Sequence, residues 1–362
     1  MYKKALEVLN IFNEHGYLAY IVGGYVRDML LDKKSFDIDI CASATPREIM
    51  ELFDIEKQSE INYGSVKIIY KNIKFDVTTF RRDIKYEDNR KPIKIKYIKD
   101  LKKDLLRRDF TINTFCIDKD GNILDELNIR EDLIDRKIKT VGNPRYKIKE
   151  DSLRILRAVR FATILDFTID DKTKIYIKKY ACLLKKLSYQ RKKDELNKIF
   201  TSPNKERGRE LLKNLKLLKY LELEKLDTIT MCDDLLGIWA QLDVQDIYPF
   251  TKHEKQQMDK IKELMNKELN DYNLYHYGPY LCTIVGQIKK QNTSNLMENY
   301  DNLPIKSPNE IKLTPLEISK IIDKPAGIYI KEIINDLEKQ IISRKLPNNK
   351  KNLTNYIIEK YK

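Results

Sequence analysis

Strand-forming patterns nearly vanish after Pro144, and this change constrains the chain more than any other feature of it. Up to about residue 120, helical and period-two patterns alternate. Beyond Pro144 long helical patterns run on, broken near Ser202-Pro203 and Leu303-Pro304. No internal repeat and no low-complexity stretch is visible. A chain of 362 residues has room for two to three domains with substantial cores. The expectation is an α+β head followed by all-α modules.

Within the head, Ala5, Val8, Leu9 and Phe12 recur at helical spacing, and Gly16 can close that helix. Leu18 to Val22 reads as a short apolar strand that ends in the turn Gly23-Gly24. Phe36, Ile38 and Ile40 alternate with Asp37 and Asp39, which is the period of a strand. Val66 to Tyr70 and Phe75 to Phe80 read as a hairpin around Lys71-Asn72. Ile112 to Ile117 reads as a further strand before the turn Asp120-Gly121.

Lys and Arg number 69 against 55 Asp and Glu, so the chain carries a net charge of +14, which fits either polyanionic partners, nucleic acid first, or a lysine-rich, solubilising surface. Apolar residues at 42% exclude a disordered chain. Cys41, Cys116, Cys182, Cys232 and Cys282 lie at least 50 residues apart, which fits neither a disulfide framework nor a zinc site. They read as reduced thiols, and the expected location is cytoplasmic. Lys3, Lys4, Glu7 and Glu14 argue against a signal peptide. The uncharged run Tyr272 to Ile288 is too short and too polar to cross a bilayer. His15, His253 and His276 stand apart from one another, which argues against a histidine metal site.

Four groups of residues could carry chemistry. Asp37-x-Asp39 on a strand puts two carboxylates on one face. Such a pair is costly unless a cation neutralises it, and hard oxygen ligands suit Mg²⁺ bridging to phosphates. Asp76, on a second predicted strand, could add a third carboxylate. Gly23-Gly24-x-x-Arg27-Asp28 falls about ten residues earlier at a strand-to-helix turn, where glycine lets backbone approach a phosphate and Arg27 could clamp one. Arg107-Arg108-Asp109 offers two adjacent guanidinium groups, one of which Asp109 could orient. In the helix expected from Glu150, Asp151, Arg154, Arg157 and Arg160 follow at intervals of three, opposite an apolar arc of roughly 120°.

In this order and spacing the motifs resemble the class II nucleotidyltransferase superfamily of CCA-adding enzymes and bacterial poly(A) polymerases. The matching residues are Val22 to Asp28, Asp37 to Ile40, Phe75 to Phe80, Arg107 to Asn113, and Glu150 to Arg154 leading into Leu156 to Ala162. The resemblance covers about the first 200 residues, with a weaker likeness at Leu303-Pro304-Ile305-Lys306 and Lys324-Pro325-Ala326-Gly327. It is that of the short bacterial CCA-adding enzymes without a His-Asp domain. It implies a polymerase-beta-like head at 1–140, a helical neck at 141–200, a body at 201–302 and a tRNA-binding tail at 303–362.

The resemblance also implies roles. Asp37 and Asp39 would bind Mg²⁺, with Asp76 the third catalytic acid. Gly24, Arg27 and Arg108 would hold the triphosphate of CTP or ATP. Asp151 and Arg154 would read the base, with Arg157 and Arg160 supporting them or the phosphates. The polar stretch from Asp83 to Pro92, with Asp83 and Arg90 of opposite charge, resembles the loop that lets such enzymes switch from adding C to adding A. The partner would be the acceptor end of tRNA. Alternatives within the superfamily are an A-adding enzyme or a poly(A) polymerase, and outside it an inactive RNA-binding module, against which the two retained acids speak. One departure stands out: Asn128-Ile129 replaces the usual Gly-Gly, and β-branched Ile resists the left-handed conformation that Asn tolerates.

The chemistry implied is attack of a tRNA 3′-hydroxyl on the α-phosphate, with release of pyrophosphate. Base choice without a template needs a protein group that reads the Watson–Crick edge. A carboxylate accepts from the exocyclic amine of cytosine or adenine, and a guanidinium donates to their ring acceptors. Uracil and guanine carry a carbonyl at that position, which leaves two acceptors unpaired at about 1–3 kcal/mol each.

Overall fold

The computed structural model describes residues 1–55, 64–87 and 91–362, with backbone alone at 83–87 and 91–94. The chain forms two compact units, Met1–Asp227 and Thr228–Lys362. The first begins with α1 (Tyr2–Glu14), β1 (Ala19–Val22), α2 (Gly24–Leu30), β2 (Asp39–Ala42) and α3 (Pro46–Leu52). Then come β3 (Asp54–Ile55), β4 (Ser65–Tyr70), β5 (Ile73–Thr79), β6 (Arg81–Glu87), β7 (Lys91–Tyr97) and α4 (Leu101–Leu106). The expected residues Ala5, Val8, Leu9 and Phe12 are the buried face of α1, and Gly16 follows it at φ 79°.

After a single 3₁₀ turn at Thr111–Asn113 the head closes with β8 (Cys116–Ile117) and β9 (Ile123–Leu124). One sheet runs in the order β3-β4-β5-β2-β1-β8-β9, and β6-β7 form a separate pair. The hairpin expected around Lys71-Asn72 joins β4 to β5, with both residues at positive φ, 46° and 63°. On one face of the sheet Val22, Cys41, Phe80, Leu105 and Cys116 form a closed apolar cluster.

Three local expectations are corrected. The strand expected from Phe36 begins at Asp39. Its antiparallel ladder with β1 ends at Val22 opposite Asp39, and Gly23, at φ 87°, turns the chain away, so Asp37 has no partner there. The strand expected over Ile112 to Ile117 shrinks to Cys116–Ile117, because Asn113 and Thr114 close a turn onto Phe110 and Thr111. The loop expected from Asp83 to Pro92 is an antiparallel hairpin with Tyr86 opposite Pro92. Its sequence explains the difference, since Ile93, Ile95 and Tyr97 alternate with Lys94 and Lys96. Arg90 lies outside the described residues, and no side-chain placement is described for Asp83.

The turn at Asn128-Ile129 needs only one residue of positive φ. Asn128 supplies it at 51°, and Ile129 keeps an ordinary φ of −120°. The Asp125 carboxylate accepts from the backbone N–H of Ile129 and of Arg130 at 2.9–3.0 Å and pins the turn. The missing glycines are therefore no obstacle to this fold.

The unit continues with α5 (Arg130–Ile134), β10 (Lys137–Ile138), α6 (Pro144–Glu150), α7 (Leu153–Leu165), β11 (Thr168–Ile169), α8 (Asp171–Tyr180), α9 (Tyr189–Phe200) and α10 (Lys205–Asn214). Strand β10 pairs in parallel with β11. The helix expected from Glu150 begins only at Leu153, and Glu150 is instead the last residue of α6. Asp151 adopts an extended conformation (φ −142°, ψ 107°) between α6 and α7. Gly208 of α10 packs so closely that a Cβ would stand 2.4 Å from Ile199 and 3.0 Å from Thr163, which locks α10 onto α9 and α7.

The second unit is helical throughout. Trp239 is buried between Tyr248 and Phe250. The uncharged run forms two helical segments within Asp271–Ile288, separated at Gly278, which leaves helical geometry (φ 75°, ψ 165°) just before Pro279. Among the described residues no helix is long and apolar enough to cross a membrane. Thr314 caps Pro315–Ile322 with Glu317 in reciprocal hydrogen bonds, as Thr-Pro-Leu-Glu predicts. The next helix, Tyr329–Ile342, is not markedly basic: it holds Lys331 and Lys339 against Glu332, Asp336 and Glu338.

Candidate active site

A cavity of about 640 Å³ opens in the first unit. Its wall brings together Gly24, Arg27, Asp37, Asp39, Arg108, Asp151, Arg154, Arg157 and Arg160, residues singled out from four separate stretches of sequence. Nine cationic side chains and four carboxylates line it, a surplus of five that suits a polyphosphate.

The floor is built by β1 and β2. Gly23 is the turn residue, and its φ of 87° is what calls for glycine; a Cβ there would lie at ordinary contact distance, 3.6 Å from Asp39 Oδ2 and 3.9 Å from Arg108 Nη1. Asp39 is ringed by protein atoms yet open to water through the cavity mouth. Loss of hydration in that enclosure, and then the neighbouring Asp37, push its carboxyl up to about 6, against the pull of Arg108. Two neighbouring carboxylates in a cavity lined mainly by cationic side chains are a donor set for a hard divalent cation, so the residues present fit the metal of this chemistry. Among the described residues no three metal-binding side chains converge. Asp76 stands beside Asp39 in the sheet register but pairs with Lys67 at 4.0 Å and is not part of the cavity wall.

The arginines are held by acids that sequence reading largely missed. Fully buried Asp104 accepts from Arg107 Nε at 2.8 Å, from Arg108 Nη2 at 3.3 Å and from the Arg81 backbone N–H at 3.1 Å. Its spacing of three and four residues from Arg107 and Arg108 on a helix was a readable signal. Asp109, expected to orient one of that pair, instead binds Arg157 Nε at 2.6 Å. Burial works to raise the Asp109 carboxyl, but the Arg157 guanidinium outweighs it and holds the group at about 2. Arg27 is fixed by Asp28 and by Asn113 Oδ1 at 2.8 Å. Arg160 pairs with Glu195 at 3.1 Å. Arg27, Arg157 and Arg160 surround the Phe161 ring, with guanidinium carbons 5.3, 5.4 and 4.4 Å from its centroid.

The basic face of the neck is therefore not a solvated one: Arg154 and Arg160 are each only 7% exposed. Arg154 donates to the Lys147 carbonyl at 2.7 Å, to Glu150 at 2.9 Å and to the Arg107 carbonyl at 3.2 Å. The break before α7 sets Asp151 at the cavity wall, where one oxygen accepts from the Leu153 N–H at 3.0 Å and the other lies 3.7 Å from Arg191. Burial raises its carboxyl despite Arg191 and the Leu153 N–H.

Comparison with known proteins shows which family the chain resembles. Residues 19–139 match the model described as "Poly A polymerase head domain", and residues 166–226 that of the "Probable RNA and SrmB-binding site of polymerase A". Residues 199–357 match a tRNA nucleotidyltransferase domain 2. Fold and site thus define a nucleotidyltransferase, whose chemistry requires a divalent metal. A CCA-adding enzyme of Bacillus cytotoxicus is 30% identical, over 99% of this chain and 98% of its own length. One from Ligilactobacillus salivarius is 34% identical over 96% and 94%. The crystal structure of the Bacillus stearothermophilus CCA-adding enzyme in complex with CTP superimposes with a TM-score of 0.86 at 27% identity, covering 99% of this chain and 97% of that one. The chain belongs to the family of CCA-adding enzymes.

Proposed function

We propose that the chain adds CCA to the 3′ end of tRNA, using CTP and ATP without a template and releasing pyrophosphate. The observation that carries this reading is the union, in one cavity, of Asp37 and Asp39 with the arginines of head and neck in a chain of this family. Asp37 and Asp39 hold the divalent cation, and their hard oxygens fit Mg²⁺. When bound, one such cation would lower the pKa of the attacking hydroxyl while a second would stabilise the leaving pyrophosphate, a two-metal mechanism. Asp76 adds negative charge beside Asp39.

Gly24 keeps the turn open to the triphosphate, and Arg27 and Arg108 bind its oxygens. Asp104 and Asn113 fix those guanidinium groups in advance, so little ordering is left to the moment of binding. Asp151 accepts from the exocyclic amine of C or A, and Arg154 donates to the ring. The backbone carbonyls that hold Arg154 make its position independent of the nucleotide. Arg157 and Arg160, fixed by Asp109 and Glu195, position the neck rather than read the base.

The modules 1–140, 141–200, 201–302 and 303–362 are the finer division we assign to head, neck, body and tail, with exposed lysines of the tail meeting tRNA phosphates. The hairpin Arg81–Glu87 with Lys91–Tyr97 is the element assigned to the change from C to A. A cytoplasmic location is supported by five free cysteines. The test is to supply tRNA lacking CCA, ending in C, or ending in CC with each nucleotide separately, and to sequence the products.

A further inference from the structure

We infer that Lys67 anchors the phosphate of the tRNA 3′-terminal nucleotide and so positions the attacking hydroxyl; this rests on the nucleotidyl-transfer reading above. The sheet register carries the argument. Asp39 of β2 is opposite Asp76 of β5, and Asp76 is opposite Lys67 of β4. Residues directly opposite share a face, so the three form a row across the sheet, each step about 4.8 Å.

The other flank of Asp39 is already taken. There β1 leads into Gly23, and a Cβ on Gly23 would stand 3.9 Å from Arg108 Nη1. With Arg27 and Arg108 holding the β- and γ-phosphates, pyrophosphate leaves towards β1 and β8. Phosphoryl transfer keeps the attacking and leaving oxygens roughly in line. The hydroxyl must then approach from the opposite side, along the row towards Asp76 and Lys67.

Lys67 is the cation at the end of this row, 4.0 Å from Asp76, and its side chain is 56% exposed. Two strand spacings, about 10 Å, separate its strand position from that of Asp39. A lysine chain leaning back along the row can meet the phosphate one nucleotide sugar away from the reacting hydroxyl. Lys67 touches substrate at a distance from the reacting atoms and is a positioning residue.

The test uses tRNA ending in CC whose last internucleotide linkage is either phosphate or uncharged methylphosphonate. For the wild-type chain the neutral linkage should raise the KM for tRNA about tenfold. For Lys67→Ala the two substrates should differ less than twofold, the KM for ATP should be unchanged, and Lys67→Arg should restore the difference. Lys67→Met, which keeps the apolar stem, serves as the second variant, and nucleotide binding reports that each variant is folded. An equal penalty for the neutral linkage in wild type and both neutral variants would overturn the assignment. A wild-type chain that adds no nucleotide to either substrate would refute the nucleotidyl-transfer reading instead.

Discussion

Asp109 binds Arg157 through one carboxylate oxygen that receives both Nε at 2.6 Å and Nη2 at 2.5 Å. This joins the loop after α4 to the middle of α7, two elements that each contribute one wall of the site. The carboxyl is held at about 2, against about 3.9 for an unfolded chain. A depressed folded value gives stability that is present above pH 4 and lost as the pH falls towards 2. Asp109→Asn should therefore cost about 3 kcal/mol at pH 7, because it also leaves a buried guanidinium without its counter-charge. The difference from wild type should shrink in urea melts at pH 3. A constant difference at both pH values would refute the pairing as its source.

The sequence made the cavity residues legible because motif chemistry survives without geometry. Gly24, Arg27, Asp37, Asp39, Arg108, Asp151 and Arg154 all reach one cavity. What remained hidden was what holds them. Glu195 lies 35 residues from Arg160, and Asp109 lies 48 from Arg157, separations that no local pattern encodes. Local signals worked where the energy is local: the Thr314 capping box and the Lys71-Asn72 turn formed as expected. They failed where tertiary context decides. The residues before Asp39 lie beyond the ladder with β1, and the helix expected from Glu150 starts only at Leu153, past the extended Asp151.

Metal binding should depend on pH through Asp39, whose carboxyl sits at about 6 without a cation. A ligand must shed its proton before it binds a metal. The affinity for Mn²⁺, followed by paramagnetic resonance in the absence of nucleotide, should be nearly constant above pH 7 and fall about tenfold per unit below pH 6. Asp39→Ala should abolish tight binding and lower turnover by orders of magnitude, while tRNA affinity stays within about twofold. Near-normal turnover of this variant would rule out Asp39 as a metal ligand.

Base choice and triphosphate binding should separate. Asp151→Ala should narrow the preference for CTP and ATP over UTP and GTP by about tenfold or more, a loss of about 1.4 kcal/mol in discrimination. Arg108→Ala should weaken all four nucleotides alike. Single-turnover rates with each nucleotide measure both effects. An intact preference in Asp151→Ala would move base reading to another residue.

The hairpin at Arg81–Glu87 and Lys91–Tyr97 has its own signature. Asp83→Ala and Arg90→Ala should leave both C additions near normal and slow the final A at least about tenfold. Time courses of products ending in CC and CCA resolve the two. Equal slowing of C and A would make the hairpin a support of the head instead of a switch.

The most direct measurement of the whole account is the product sequence on defined tRNA ends. Each of CTP, ATP, UTP and GTP is offered alone to tRNA lacking CCA, ending in C, and ending in CC. The account predicts two C residues on the first, one C on the second, one A on the third, and no addition from UTP or GTP. Runs of A on any end, or A added only to CC with no C incorporation on the shorter ends, would contradict it.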